Sequence, residues 1–170
     1  MKQQVAIIIG SDSDLPVIKP ALDMLDKLQI AYGLHISSAH RTPDLTVKIV
    51  RDAEKDGVKV IIAAAGGAAH LPGVIAAMTI LPVIGVPVKS DALSGIDSLY
   101  SIVQMPSGIP VATVAINGSK NAAILAAQIL ATADDSIKEK LLLFKQEMAL
   151  EVAAKDAKLQ EIGAAAYLNK

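Results

Sequence analysis

The sequence predicts an α/β protein of three layers, with a parallel β-sheet held between two layers of helices. Three observations predict it: short runs rich in Val, Ile and Ala, amphipathic stretches alternating with them, and small or polar residues where the runs end. A strand buried on both faces shows no polar alternation, and Val5–Ile9 reads in that way.

The first run stops at Gly10, and Ser11, Asp12, Ser13 and Asp14 follow it. Residues 14–28 then carry Val17, Ile18, Ala21, Leu22, Leu25 and Leu28 at helical spacing. Pro16 suits a first turn, where a missing N–H has no intrahelical bond to lose. Pro20 implies either a late start or a kink. Residues 30–36 read as the second strand, ending at Ser37, Ser38, Ala39 and His40. Thr42 and Pro43 provide a cap and a first helical residue for a helix to about residue 56, punctuated by Gly57. Residues 58–65 form the third strand, before Gly66, Gly67 and an Ala-rich helix over about 70–78. The fourth strand, 81–86, begins its pairing after Pro82. A connection over 89–108 holds a short helix at 94–103, residues 111–116 are the fifth strand, and 121–132 the fifth helix.

From Asp134 the pattern changes. Ile137, Leu141, Phe144, Met148, Val152 and Leu159 form a stripe between charged residues, over a length greater than a locally covering helix needs. That favours packing of 134–166 on a neighbouring subunit over packing across its own domain. No linker or repeat divides the chain, so residues 1–170 read as one domain.

Hydrophobic residues make up 52% of the chain, yet it has no Trp and one Phe. Small side chains give few large anchors, which points to an oligomer. Sixteen Lys and Arg oppose 17 Asp and Glu, with no basic tail, so a nucleic acid partner is not expected. Absent cysteine excludes disulfides, thiolate nucleophiles and sulfur-ligated metals. Apolar runs are too short for a signal peptide core or a membrane span, and a cytoplasmic protein is expected.

In a doubly wound sheet, chemistry collects beyond the carboxyl ends of the strands. Residues 11–14, 37–43 and 66–72 should therefore share one cleft. Within them, the His40 imidazole can move a proton near neutral pH and the adjacent Arg41 guanidinium can hold a phosphate. His40 alone also fits a loop hydrogen-bonding role. His35 falls within a strand and reads as a packing or surface residue; His70 reads as shaping its loop. The hydroxyls and N–H groups of residues 11–14 can meet phosphate and a carboxylate there can accept from ribose, although ordinary capping uses the same residues. Gly66, Gly67, Ala68 and Ala69 leave room for a flat ligand to approach backbone. Neither a dinucleotide-binding nor a P-loop glycine pattern occurs, and no compact metal-ligand motif is present.

Four ordered segments carry a closer resemblance: Gly10-Ser11-Asp12-Ser13-Asp14, Ser38-Ala39-His40-Arg41-Thr42-Pro43, Gly66-Gly67-Ala68-Ala69-His70-Leu71-Pro72-Gly73, and the run from Gln104 through Pro106-Ser107-Gly108-Ile109-Pro110 to Ile116. Together they resemble the bacterial class I N5-carboxyaminoimidazole ribonucleotide mutase family, over residues 5–131. The resemblance implies a flavodoxin-like sheet, a homo-octamer with an exchanged terminal helix, and a phosphorylated aminoimidazole nucleotide as substrate. It also implies an isomerase of de novo purine biosynthesis that needs no cofactor or metal. His40 matches the catalytic imidazole. Ser11, Asp14 and Arg41 match nucleotide-binding residues, with phosphate toward Ser11 and Arg41 and ribose toward Asp14. Ser13, Ser38, Ala39, Gly67, Ala68, His70 and Leu71 match the surrounding pocket.

A related branch carboxylates aminoimidazole ribonucleotide directly with carbon dioxide; the intact His40 and His70 segments favour the mutase branch. A nucleotide-binding regulator without turnover and a flavin module are the alternatives from other classes. Leu15 stands where the family often has Trp, and Asn117-Gly118-Ser119 departs from its usual turn.

Overall fold

A computed structural model describes residues 2–168. Its first strand, β1 (Val5–Ile9), is buried at every position, as its lack of polar alternation requires. Parallel partners flank it on both sides: Ile7 is in register with Leu34 of β2 (Tyr32–Ile36) and with Ile62 of β3 (Val60–Gly66). Beyond β3 lie β4 (Val83–Val88) and β5 (Ala112–Thr113), giving the order β2-β1-β3-β4-β5. This is the flavodoxin-like order, in which the winding reverses between β1 and β3.

Helices α1 (Leu15–Lys27), α5 (Ser119–Leu130) and the start of α6 (Asp135–Leu168) cover one face. Helices α2 (Pro43–Asp56), α3 (Leu71–Ala76) and α4 (Ile96–Val103) cover the other. Alternate strand residues feed the two cores. Val5, Ile7 and Ile9 meet Ile18, Leu25, Ala126 and Phe144, whereas Ala6 and Ile8 meet Ile49, Val50, Ile75 and Ile102. The buried face of α5 consists of Ser119, Ala122, Ala123, Ala126 and Ala127, followed by Leu130. Such small side chains bring it close to α1, where the Ser119 hydroxyl donates to the Val17 carbonyl.

Several expectations are refined. A short 3-10 turn over Asp12–Asp14 precedes α1, and α1 then continues through Pro20 rather than starting after it. The strand expected over 30–36 starts at Tyr32. The fifth strand, expected over 111–116, has two residues. The Gly85 and Pro87 carbonyls accept from Val114 and Asn117, so the β5 side of β4 is the side on which Pro87 has no N–H to offer. Pairing therefore stops at Gly85↔Thr113. Past it, Asn117 adopts a left-handed φ of 58° and its Oδ1 accepts from the Lys89 N–H at 2.9 Å. A side chain at Gly118 would meet the Ala115 carbonyl oxygen at 2.8 Å, so this unusual turn needs its glycine.

Asp134 caps α6, its Oδ1 accepting from the Ser136 and Ile137 N–H groups at 3.0 and 3.3 Å. Ile137, Leu141 and Phe144 then enter the core, and no later residue of α6 is buried among those described. The first turns of the expected stripe thus pack on their own sheet, while Met148 and Val152 stay exposed. Gly163, at φ 74° and ψ 161°, breaks the helical backbone near its end.

Candidate active site

The loops after β1, β2 and β3 meet at the point where the winding reverses, around a cleft of about 410 Å³. The first loop contributes Gly10, Ser11, Ser13 and Asp14. Ser11 is extended, and its Oγ accepts from the Ser13 N–H at 3.3 Å, which starts the short turn. That turn carries Asp14 inward, where only 7% of it is exposed. Burial holds the Asp14 carboxyl above its ordinary value; hydrogen bonds from the Ser11 backbone and the Ser13 side chain pull the other way, and the charge of Asp12 adds to the rise.

The second loop is a turn closed on itself. The Thr42 N–H donates to the Ser38 carbonyl at 2.9 Å, and the Ser38 N–H donates to the Thr42 hydroxyl at 3.0 Å. Thr42 was expected as the cap of α2. It occupies that position, but its hydroxyl makes no capping bond because Ser38 engages it. Ala39, His40 and Arg41 are the residues so enclosed. From this turn Arg41 reaches back to β1, its Nη2 donating to the Gly10 carbonyl at 3.1 Å, and brings a fixed positive charge to the cleft.

The third loop contributes Ala65, Gly66, Ala69, His70 and Leu71. Ala69 has a left-handed φ of 39°, uncommon for a residue with a side chain, and it is 3% exposed. This turn directs the chain into α3 and sets His70 at its start. The two imidazoles then meet: His40 Nε2 is 2.6 Å from His70 Nδ1, with the rings edge to face at 79°.

Nine of the eleven residues that the resemblance assigned to the site line one cleft: Ser11, Ser13, Asp14, Ser38, Ala39, His40, Arg41, His70 and Leu71. Gly67 and Ala68 do not. Gly67, at φ 61°, serves the reversal of the loop instead, and Ala68 is exposed. Gly66 and Ala69 of the loop read as open to a flat ligand line the cleft as well, and Gly10 and Ala65 do so without a role assigned from the sequence; their positions at the carboxyl ends of β1 and β3 are the signal that locates them. His35 is exposed on β2, outside this cleft. Among the described residues, no group of three His, Asp or Glu converges to hold a metal, and no helix is long and apolar enough to cross a membrane.

The cleft brings two imidazoles and a guanidinium together with the small apolar side chains of Ala39, Ala65 and Ala69. Paired imidazoles and an arginine at the reversal point of a doubly wound sheet define an α/β enzyme with a site suited to an anionic ligand. The profile of the AIR carboxylase family matches residues 4–151, and the chain belongs to that family. The resemblance read from the four segments therefore holds.

The N5-carboxyaminoimidazole ribonucleotide mutase of Pyrococcus horikoshii is 56% identical to this chain, over 99% of this chain and 96% of that one. The phosphoribosylaminoimidazole carboxylase of Schizosaccharomyces pombe is 57% identical over 94% of this chain, but that match covers 29% of the fungal protein. A crystal structure of Treponema denticola PurE aligns with a TM-score of 0.85 at 33% identity, covering 91% of this chain and 97% of that chain.

Proposed function

We propose that this chain converts N5-carboxyaminoimidazole ribonucleotide to 4-carboxy-5-aminoimidazole ribonucleotide, an isomerisation in purine biosynthesis. The observation that carries the reading is the His40–His70 pair at 2.6 Å, in the same cleft as Arg41, in a chain akin to mutases along its length. Arg41 and Ser11 take the nucleotide phosphate, and Asp14 accepts from the ribose hydroxyls. Ser13, Ser38, Ala39 and Leu71 surround the ligand.

His40 is the acid and base of the reaction. Protonated His40 gives its proton to N5 as the N5–carboxylate bond breaks, releasing carbon dioxide and the enamine-like imidazole. C4 attacks the carbon dioxide to form the new C–C bond, and neutral His40 removes the C4 proton to restore aromaticity. Each transfer resets the imidazole for the other, so atoms and charge balance without a cofactor. His70 orients His40 by holding one of its ring nitrogens. Ala39, Ala65, Ala69 and Leu71 retain carbon dioxide beside C4, which replaces a bimolecular encounter by a local one. The exposed Leu142, Leu143, Leu150 and Val152 of α6 support its role in joining subunits of a homo-octamer. The reading includes a cytoplasmic location, in keeping with a chain without cysteine.

The fungal relative's name supports a second reading, direct carboxylation of aminoimidazole ribonucleotide. That name belongs to a protein more than three times as long as the matched segment, whereas the P. horikoshii mutase is matched over 96% of its length. Turnover of N5-carboxyaminoimidazole ribonucleotide, compared with aminoimidazole ribonucleotide plus bicarbonate and without ATP, separates the readings. Preference for the first substrate is expected. Preference for the second moves the chain to the carboxylase reaction, and turnover of neither leaves a nucleotide-binding regulator.

A further inference from the structure

Beneath the cleft lies a set of hydroxyls that no step above uses. Ser37 and Thr46 are 1% and 0% exposed, and their oxygens are 2.7 Å apart. Ser37 Oγ is also 3.3 Å from Thr42 Oγ1, which in turn donates to the Ser38 carbonyl at 3.2 Å. Each hydroxyl has one proton to give. Two orders along this chain of hydroxyls let all three donate: Thr46 to Ser37, Ser37 to Thr42 and Thr42 to the Ser38 carbonyl, or Ser37 to Thr46, Thr46 to the Thr42 carbonyl and Thr42 to the Ser38 carbonyl. In both, Ser37 and Thr46 share the 2.7 Å contact, and one of the two donates to Thr42 at 3.3 Å, to its hydroxyl or to its carbonyl, which lies one helical turn back from Thr46. Threonine inside a helix ordinarily bonds such a carbonyl. Here its shorter contact runs sideways to the end of β2.

Either way the pair is tied to Thr42, whose hydroxyl closes the turn enclosing Ala39, His40 and Arg41. Ser37 is itself tied to the sheet, its N–H donating to the Ile9 carbonyl at 2.8 Å. Sheet, turn and α2 are thereby locked together below His40. We propose that Thr46, although absent from the lining of the cleft, is a positioning residue for His40, holding through Ser37 and Thr42 the turn that delivers the imidazole to His70. Its catalytic consequence rests on the acid–base reading of His40 given above.

The test is Thr46→Val, which keeps the shape and removes the hydroxyl, with Thr46→Ser as the restoring variant. In Thr46→Val, kcat for N5-carboxyaminoimidazole ribonucleotide falls about ten- to hundredfold while KM changes less than about twofold, since the loss is one of alignment. Thr46→Ser keeps kcat near that of the parent. Ile137→Val, a core truncation on the buried face of α6, serves as the stability control and keeps kcat. A crystal structure of Thr46→Val shows the His40–His70 contact lengthened. Should that variant not fold, Ser37→Ala cuts the same chain and is read in the same way. Unchanged kcat in Thr46→Val, an equal loss in Thr46→Ser, or an equal loss in Ile137→Val overturns the proposal. If the parent protein turns over neither substrate, the acid–base reading fails, and an unchanged His40–His70 distance in the Thr46→Val crystal overturns the positioning role separately.

Discussion

His40 and His70 are 30 residues apart in the chain, yet His40 Nε2 stands 2.6 Å from His70 Nδ1. The contact commits one nitrogen of each ring to the other ring and leaves one nitrogen on each for a ligand or water. His40→Asn keeps a polar side chain of similar size and removes the titrating group. Turnover is expected to drop about 10²- to 10⁴-fold, the usual worth of a positioned acid or base. Nucleotide affinity and the melting temperature stay near those of the parent. Stopped-assay kinetics beside calorimetric titration decide the matter, and full activity in the variant removes His40 from the reaction.

Arg41 is anchored by the Gly10 carbonyl, so its guanidinium is placed before a ligand arrives. Hydrogen bonds to charged groups contribute about 1.5–3 kcal/mol, and Arg41→Leu should weaken binding of the phosphorylated nucleotide roughly ten- to hundredfold. The corresponding nucleoside, without phosphate, should bind both proteins alike. Equal weakening of both ligands would show that Arg41 shapes the loop instead of meeting phosphate.

Asp14 makes stability depend on pH in a stated direction. Burial raises its carboxyl above the ordinary 3.8, so the folded state holds the proton more tightly than the unfolded state does. The stabilising contribution of Asp14 is complete below 3.8 and is lost as pH rises through the raised value. Asp14→Asn carries no charge at any pH and escapes this loss. Urea midpoints of the two proteins should be closest in acid and diverge toward neutral pH in favour of the variant. Divergence in the opposite sense would mean that the hydrogen bonds from Ser11 and Ser13 outweigh burial.

Helix α6 can be divided experimentally where its burial ends. Ending the chain after Lys145 keeps Ile137, Leu141 and Phe144 in the core and removes a remainder in which no described residue is buried. The Lys27–Glu147 ion pair is lost as well, but both side chains are about half exposed and the cost is small. Light scattering should give a lower assembly mass with an unchanged folded core by circular dichroism. An unchanged mass would place the subunit contacts elsewhere.

The central strands were legible in the sequence because burial on both faces leaves a run such as Val5–Ile9 no reason to alternate. The position of the cleft was legible too, since carboxyl ends of strands can be located without knowing side-chain geometry. β5 was overestimated because its length depends on what Pro87 of another strand can donate. Thr42 carried a capping signal, but Ser38 competes for its hydroxyl. The His40–His70 contact left no mark: it depends on the left-handed turn at Ala69, and alanine gives no warning of that conformation.

The alanine face of α5 makes mutational tolerance asymmetric. At Ala122, Ala123, Ala126 and Ala127, all 0% exposed, there is no longer side chain to trim, and the familiar cavity-forming substitution does not exist. Enlargement toward valine or leucine meets α1 and the sheet at a cost of about 1–3 kcal/mol, while glycine costs about 1 kcal/mol in helix propensity alone. A stretch that looks like low-information sequence is therefore among the least replaceable in the protein, and a saturation library of these positions should return alanine most often.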